Sequence, residues 1–497
     1  MSDLDAAVRE ASSREIPRAE LSAAIVARLE RLGAPAESLA AARKIAEPRS
    51  IVVVAGQQPV LLGGPGLVWA KASDAVALAR AIEAAHGVPS VAVFWNASED
   101  HDHAECDHVR MDLGSEVETL RVPLPGDRRM LSRVPVPAEA RALLETLHAK
   151  FPQGPSRDEI LASLEPAADD TMGSWFSRIL LRLLGKHGLV VVEPETLRPF
   201  AESVIELELT RPGELAASVR RAEQEAASRG EPKGLDLARD ELFFAVDDAG
   251  RRLRATRDGT TWRVEDGRSL STAQMRALPA SAFSWNVAAR VLAQDIVLPV
   301  AAQVCGPSEI VYCARLAPAH AAFGVPSPLL VERTHWSFET TRAQRLQRDL
   351  GFSWANVAAG TAGATGPAFE EPAEVRRLRE IVSALPPGGS AAVQRRRASL
   401  AQGVDAYAEA LRGDAAERDK VRADRLRRLL AVMRPEGEDQ DRRLSPLSWF
   451  AANGLARLDD SVRTREDPPF VTAPGYFARR PRPVRHVIES PNRGAEP

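Results

Sequence analysis

The sequence predicts an α/β fold: a mainly parallel sheet with helices on both faces, inserted small antiparallel strands, and a C-terminal α-helical coiled-coil segment. Three observations predict it. Ile51-Val52-Val53-Val54-Ala55 is an unbroken apolar run, which suits a strand buried on both faces. A second such run from Val88 to Trp95 follows a helical stretch that ends at Gly87, so residues 51–95 form one β-loop-α-β unit. From about residue 390 the chain becomes one long charged helix.

The elements follow in order. Leu21, Ile25, Leu29 and Leu32 fall three and four apart, the spacing of a helix within residues 19–46. After the first strand come Gly56-Gln57-Gln58 and Gly63-Gly64-Pro65-Gly66. A helix then runs from about Leu67 to His86, and Gly87 stops it. A similar unit has helix Trp175–His187, a stop at Gly188, strand Leu189–Val192 and a new helix at Glu195. Residues of about 232–275 hold short strands around Asp-Ala-Gly and Asp-Gly turns, an antiparallel insertion. Leu329-Leu330-Val331 is a last buried strand, and the Gly-, Ala- and Thr-rich segment 356–368 is a linker. The core domain is therefore 1–368.

A helical domain covers 369–475. Its first helix breaks at Pro386-Pro387-Gly388-Gly389, and the next runs from about 390 to 433. There Val393, Leu400, Val404, Tyr407 and Leu411 keep heptad spacing, slip near Asp414 and Arg418, and resume at Val421, Leu426 and Leu429. Spacing alone leaves two uses open: an intramolecular hairpin or a dimerising coil. The Pro- and Arg-rich tail, 476–497, is predicted to be disordered.

Composition narrows the function. A chain of 497 residues fits two or three domains at about 100–200 residues each. Lys and Arg number 65 against 68 Asp and Glu, without the basic excess of a nucleic-acid binder. Cys106, Cys305 and Cys313 form no CxxC pair, so no disulfide framework is expected. The first twenty residues are charged throughout and no apolar run reaches the ~18 residues of a membrane helix. A soluble, cytoplasmic protein is predicted, with neither nucleic acid nor membrane as partner.

The densest chemistry is Ser98-Glu99-Asp100-His101-Asp102-His103-Ala104-Glu105-Cys106-Asp107-His108, directly after the second strand. Open α/β sheets bind ligands at the carboxyl ends of their strands. Imidazoles exchange protons near neutral pH, and neighbouring carboxylates can fix a tautomer or hold an amine; the alternative is a solvated acidic loop. A metal site on His101, His103 and Asp102 or Asp107 is a further alternative, but the i, i+2 histidine spacing is not that of HExxH and no metal is predicted. The glycines around Gln57 and Gln58 allow close approach to a ligand, and the following helix N-terminus favours an anion. Their spacing is neither GxGxxG nor a P-loop, and a tight structural turn explains them as well. Asn286, Arg290, Gln294 and Asp295 are helically spaced, as a binding patch or a capped, solvated helix. Cys305-Gly306-Pro307-Ser308-Glu309 reads as a turn before a helix. Cys305 in it reads as a buried apolar residue rather than a nucleophile.

Together these segments resemble the cysteine ligase family of bacillithiol biosynthesis. The resemblance rests on Ala55-Gly56-Gln57-Gln58, Gly64-Pro65, Lys71, Val93-Phe94-Trp95, Ala97-Ser98-Glu99-Asp100-His101-Asp102, Glu105 and His108. It continues through Phe283-Ser284, Asn286, Arg290, Gln294-Asp295, Gly306-Pro307, Glu309-Ile310, Tyr312 and Arg333 to Pro435, Gly437, Gln440 and Arg442. It spans most of residues 50–455. It implies a Rossmann-like core, a coiled-coil homodimer, and addition of L-cysteine to glucosaminyl-malate with ATP and Mg as the expected energy source. On this basis Glu99, Asp100, His101 and Asp102 are the expected catalytic residues, with Asp100 and His101 deprotonating the amine. Gln57, Gln58, Gly64, Lys71, Trp95, Ser98, His108, Asn286, Arg290, Gly306, Glu309 and Arg333 are the expected substrate or nucleotide contacts, Lys71 and Arg333 for carboxylates or phosphate. The sequence departs from the family in four places: Ala70 replaces a histidine, Cys305-Gly306-Pro307-Ser308-Glu309 replaces Gly-Gly-Pro-Gly-Glu, the bulky Trp285 just before Asn286 is unusual, and Gln440-Asp441-Arg442 replaces Gln-Glu-Arg. Ala70 and the altered Cys305–Glu309 loop motivate a rival expectation, a coiled-coil interaction protein that has lost catalysis; a third is a metal-dependent hydrolase using the Glu99–His103 loop.

Overall fold

The computed structural model describes residues 3–114, 116–237, 240–352, 357, 369–463 and 485–488. It divides into two compact units, Met1–Phe338 with Asp441–Pro497, and Glu339–Gln440. The sequence boundaries fell at 368 and 475; here the helical unit opens at Glu339 and closes at Gln440, and the chain then returns to the first unit. Most of the expected linker and of the expected disordered tail lies outside the described residues.

The core of the first unit is a five-stranded sheet. Its strands are β1 (Ile51–Gln57), β2 (Ser90–Asn96), β5 (Val190–Val192), β11 (Val300–Cys305) and β12 (Leu329–Glu332). The order is β12-β11-β1-β2-β5, and every neighbouring pair is parallel. All seven residues of β2 are buried, which explains its lack of polar alternation. The helix Gly66–His86 connects β1 to β2 and is buried along most of its length; Gly87 ends it with a left-handed φ of 63°. From β1 the chain moves outward through β2 to β5, then crosses to β11 on the other side of β1. The strand order therefore reverses between β1 and β11, where open α/β sheets form a ligand crevice.

The insertion is a second, antiparallel sheet of order β10-β6-β7-β8-β9, from β6 (Phe243–Val246), β7 (Arg252–Asp258), β8 (Thr261–Val264), β9 (Ser269–Ser271) and β10 (Phe283–Trp285). Gly250 and Gly267, with φ of 79° and 92°, close the two expected turns. Trp262, Phe243 and Phe283 form its aromatic centre, with ring centroids 5.2 and 5.5 Å apart. A hairpin of β3 (His108–Asp112) and β4 (Val117–Arg121) follows the acidic cluster.

Glu208, in the helix Glu202–Thr210, is buried at 1 % exposure. Burial pushes its carboxyl up to about 7 from an ordinary 4.5, partly opposed by the Leu242 N–H. The folded state therefore favours the protonated acid. Stability from this group is full below pH 4.5 and is lost as pH rises through about 7. Glu208→Gln is expected to raise stability at pH 8 by up to roughly 3 kcal/mol and to change little at pH 4. Thermal unfolding at both pH values checks this; an equal effect at both would contradict it.

The second unit is helical. Helix Ala373–Ala384 turns back onto helix Ala391–Met433. Arg379 joins them by ion pairing with Asp405, and Arg397 donates to the Ser383 carbonyl at 2.8 Å. The hairpin use of the long helix is therefore present. It leaves Val393, Leu400 and Tyr407, seven residues apart, about half exposed, at 49, 53 and 56 %. Among the described residues no helix is long and apolar enough to cross a membrane.

Candidate active site

Two groups of side chains meet the crevice at the carboxyl ends of the strands. The first lies at the β1–β11 reversal. Lys71 is only 2 % exposed, and its ammonium donates to the Gly56 carbonyl at 3.0 Å and to Gln57 Oε1 at 2.9 Å. It also pairs with Glu309 Oε2 at 2.5 Å. The same Glu309 oxygen accepts the Gly306 N–H at 2.6 Å, capping the helix Pro307–Ala314. A lysine has three N–H donors, and here all three are committed. Lys71 thus ties the end of β1 to the end of β11, and the anion contact expected of it does not fit this arrangement.

The glycine-rich loop is shaped by packing. Gly64 has φ of 72°, and a Cβ there would lie 3.0 Å from Val60 Cβ. A Cβ on Gly66 would meet Asp441 Cβ at 3.0 Å, and the Gly66 N–H already donates to the Leu444 carbonyl at 2.8 Å. The returning segment therefore covers the helix start that the sequence offered to an anion. Arg333 is similarly engaged. It donates to both carboxylate oxygens of Asp441, at 2.5 and 3.2 Å, with both residues buried. Its expected role as a ligand contact gives way to holding the returning chain.

The second group is the acidic cluster, whose loop begins beside Gln57: the Ala97 N–H donates to the Gln57 carbonyl at 2.9 Å. Gln58 reaches Glu105 Oε2 at 2.7 Å. The cluster's members separate sharply. Glu99 is buried, ion-paired with Arg198, and accepts from Ser284 Oγ at 2.6 Å; it joins the loop to β10. Ser98 and Trp95 are fully buried. His103 is locked by backbone, with Nδ1 accepting the Gly126 N–H at 3.0 Å and Nε2 2.7 Å from the Arg129 carbonyl, so neither nitrogen is open to a metal. His108 pairs with Asp107 at 2.8 Å on β3. Asp102 is exposed.

Asp100 and His101 remain half-buried and open. Asp100 Oδ1 accepts the Asp102 N–H at 3.0 Å, and its other oxygen has no partner among the described residues. His101 packs edge-on against Phe244, and its Nδ1 lies 3.0 Å from Arg252 Nη1. Burial first, and the Arg252 charge second, push the imidazole down to about 4. The proton-accepting role expected of His101 does not suit a ring whose basic nitrogen already faces a guanidinium. Asp100 keeps the more accessible acceptor of the two, one carboxylate oxygen without a partner among the described residues.

Asn286 caps the helix Val287–Val297, accepting the N–H groups of Ala288 and Ala289 at 3.0 and 2.9 Å. Four residues on, Arg290 is half-buried, and its guanidinium has no hydrogen-bond or ion-pair partner among the described residues. It lies near enough to Arg252 to lower that group's pKa, and near enough to the partly buried Tyr312 to oppose the rise of its phenol. Arg290 is thus a cation without a partner among the described residues, within electrostatic reach of Arg252 and Tyr312. Neighbouring Cys313 and burial hold the Cys305 thiol well above its ordinary range, which leaves it a poor nucleophile. Sequence reasoning missed Arg252 and Arg198, one arginine among several in a strand and one in a short helical turn.

A five-stranded parallel sheet whose strand order reverses at β1 defines a Rossmann-like α/β protein. A family model described as "Bacillithiol biosynthesis BshC, N-terminal Rossmann-like domain" matches residues 2–334. Relatives named "Putative cysteine ligase BshC" include one from Thermus thermophilus, 32 % identical over 478 residues, covering 88 % of this chain and 91 % of its own. Another, from Heliobacterium modesticaldum, is 30 % identical over 371 residues, 70 % and 67 % of the two chains. A third, from Geobacillus thermodenitrificans, is 28 % identical over 443 residues, 83 % and 82 %. The chain belongs to the BshC family.

Proposed function

We propose that this protein joins L-cysteine to the amine of glucosaminyl-malate, with the cysteine carboxyl first activated by Mg-ATP. Family membership and the names of the relatives supply the reaction class. The observation that carries the reading to this chain is that Asp100 has an open carboxylate oxygen and Arg290 is a half-buried cation, each without a further partner among the described residues. A neutral amine nucleophile needs a proton acceptor, and malate or phosphate needs a cation.

In this reading the cysteine carboxylate attacks a phosphorus of ATP, giving an acyl-phosphate with release of ADP or an acyl-adenylate with release of pyrophosphate. The amine attacks the carbonyl carbon, the C–N bond forms, the bond from that carbon to the phosphate oxygen breaks, and the phosphate leaves as an anion. Asp100 takes the amine proton, and Arg290 faces the malate carboxylates or the phosphate. Lys71 keeps Gln57 and Gly306 in place without meeting the anion itself. The test is conversion of glucosaminyl-malate and L-cysteine to the cysteinyl amide only when Mg-ATP is present; conversion without nucleotide, or none with it, would reject the reading.

The proposal includes a homodimer through the long helix, supported by the exposed heptad positions Val393, Leu400 and Tyr407. Leu400→Asp with Tyr407→Asp is expected to turn a dimer into a monomer in analytical ultracentrifugation. A wild-type protein that sediments as a monomer at micromolar concentration would contradict it.

A further inference from the structure

Arg252 comes from β7 of the second sheet, and His101 from the loop that follows β2 of the first. The Arg252 side chain is held on three sides. Nη1 reaches His101 Nδ1 at 3.0 Å, Nη2 donates to the Trp285 carbonyl at 2.5 Å, and the guanidinium carbon stands 4.1 Å from the centroid of the Phe244 ring. The residue is 7 % exposed. An arginine side chain has donors and no acceptor, so His101 Nδ1 must be the acceptor in this contact. A neutral imidazole has one proton for two nitrogens. That proton is therefore on Nε2, which has no partner among the described residues.

We infer that Arg252 is a positioning residue that fixes His101 as an Nε2–H donor to the carbonyl oxygen of the activated cysteine. The inference rests on the ligase reading given above. When the amine adds to the carbonyl carbon, the C=O π pair moves onto oxygen. When the intermediate collapses, that pair re-forms C=O and the phosphate departs. A fixed N–H aimed at this oxygen stabilises the intervening oxyanion without itself gaining or losing a proton. The work divides cleanly: Asp100 receives the amine proton, and His101 steadies the negative oxygen.

The charges around the ring favour this assignment. Arg252 on β7 and Arg128 in the loop after β4 oppose an imidazolium, while Asp100 and Asp102 of the ring's own loop favour one. Burial and Arg252 outweigh the two carboxylates, and the ring stays neutral down to about pH 4. Arg252 is itself pushed down by burial, to about 10, and is still a cation at neutral pH.

The experiment is long-range proton–nitrogen NMR on the full-length protein labelled at histidine nitrogens, with His101→Gln assigning the resonance. The wild type is expected to show His101 as the Nε2–H tautomer without titration above pH 5. In Arg252→Met the ring is expected to titrate above its wild-type position, with burial still holding it below the ordinary 6.5, and to lose its single tautomer. A wild-type His101 that titrates near 6.5, or that carries its proton on Nδ1, would overturn the inference. In the cysteine-adding assay Arg252→Met is expected to lower kcat by about 10²–10³-fold, the size of losing one oxyanion donor, with little change in KM. Arg252→Lys, which keeps a cationic donor and is the milder change for folding, is expected to recover part of the loss. Equal kcat in folded Arg252→Met and wild type would also overturn it. If the wild type makes no cysteinyl product, the ligase reading fails, and with it the oxyanion role; the NMR result still decides whether Arg252 sets the tautomer.

Discussion

Replacing Asp441 with alanine is expected to cost about 3–5 kcal/mol of stability, the usual consequence of stranding one partner of a buried ion pair. Asp441 is fully buried, and Arg333 is 3 % exposed. Its carboxylate accepts two Arg333 bonds and the Trp336 N–H, the last at 2.7 Å. Alanine leaves a guanidinium in the interior with only the Thr334 carbonyl, at 2.7 Å, as an acceptor among the described residues. The loss should exceed that of deleting an equally large surface carboxylate, because exposed pairs contribute only ~0–1 kcal/mol. Chemical denaturation of the first unit's transition measures it. Replacing Arg333 and Asp441 together by apolar residues should recover part of the loss. A loss for Asp441→Ala within the ~0–1 kcal/mol range of an exposed pair would show that the contact does not anchor the returning chain. Position 441 is one of the departures from the family pattern, and the shorter carboxylate still reaches both guanidinium nitrogens.

Asp100→Asn is expected to reduce kcat by about 10²–10⁴-fold, the range of general acid–base help from one positioned group. Asparagine keeps the shape and can still accept the Asp102 N–H, which Asp100 holds at 3.0 Å. What it loses is the ability to take a proton from the amine. KM for glucosaminyl-malate should change far less than kcat, because the amide preserves the hydrogen bond that shapes the loop. A variant with near wild-type kcat would remove Asp100 from the chemistry and leave the amine proton to solvent.

The sheet's first strands were legible because Ile51–Val54 and Val91–Phe94 are β-branched or aromatic and nearly uninterrupted. Its central neighbour β11 was not. Val300-Ala301-Ala302-Gln303-Val304-Cys305 has alanines and a glutamine where strands favour branched residues, and only its pairing with β1 and β12 makes it a strand. The 98–108 cluster stands out as a candidate site because it follows a buried strand. The division of labour within it does not. Glu99 against Arg198, and His103 between two backbone groups, are long-range contacts without a local signal. The same holds for Arg252, whose neighbours Arg251 and Arg254 have the same side chain and face solvent. Lys71 and Arg333 were read as free cations because sequence shows their charge and not the acceptors already bound to it.

The central claim is amide formation through an activated cysteine carboxyl, and isotope tracing tests it most directly. Purified protein would be given cysteine labelled with ¹⁸O in both carboxylate oxygens, glucosaminyl-malate and Mg-ATP, and the products weighed by mass spectrometry. The expected result is a cysteinyl amide retaining one labelled oxygen, with the other transferred to AMP or phosphate. No cysteinyl product from the folded protein, or an amide formed with no label in any nucleotide-derived product, would contradict the claim.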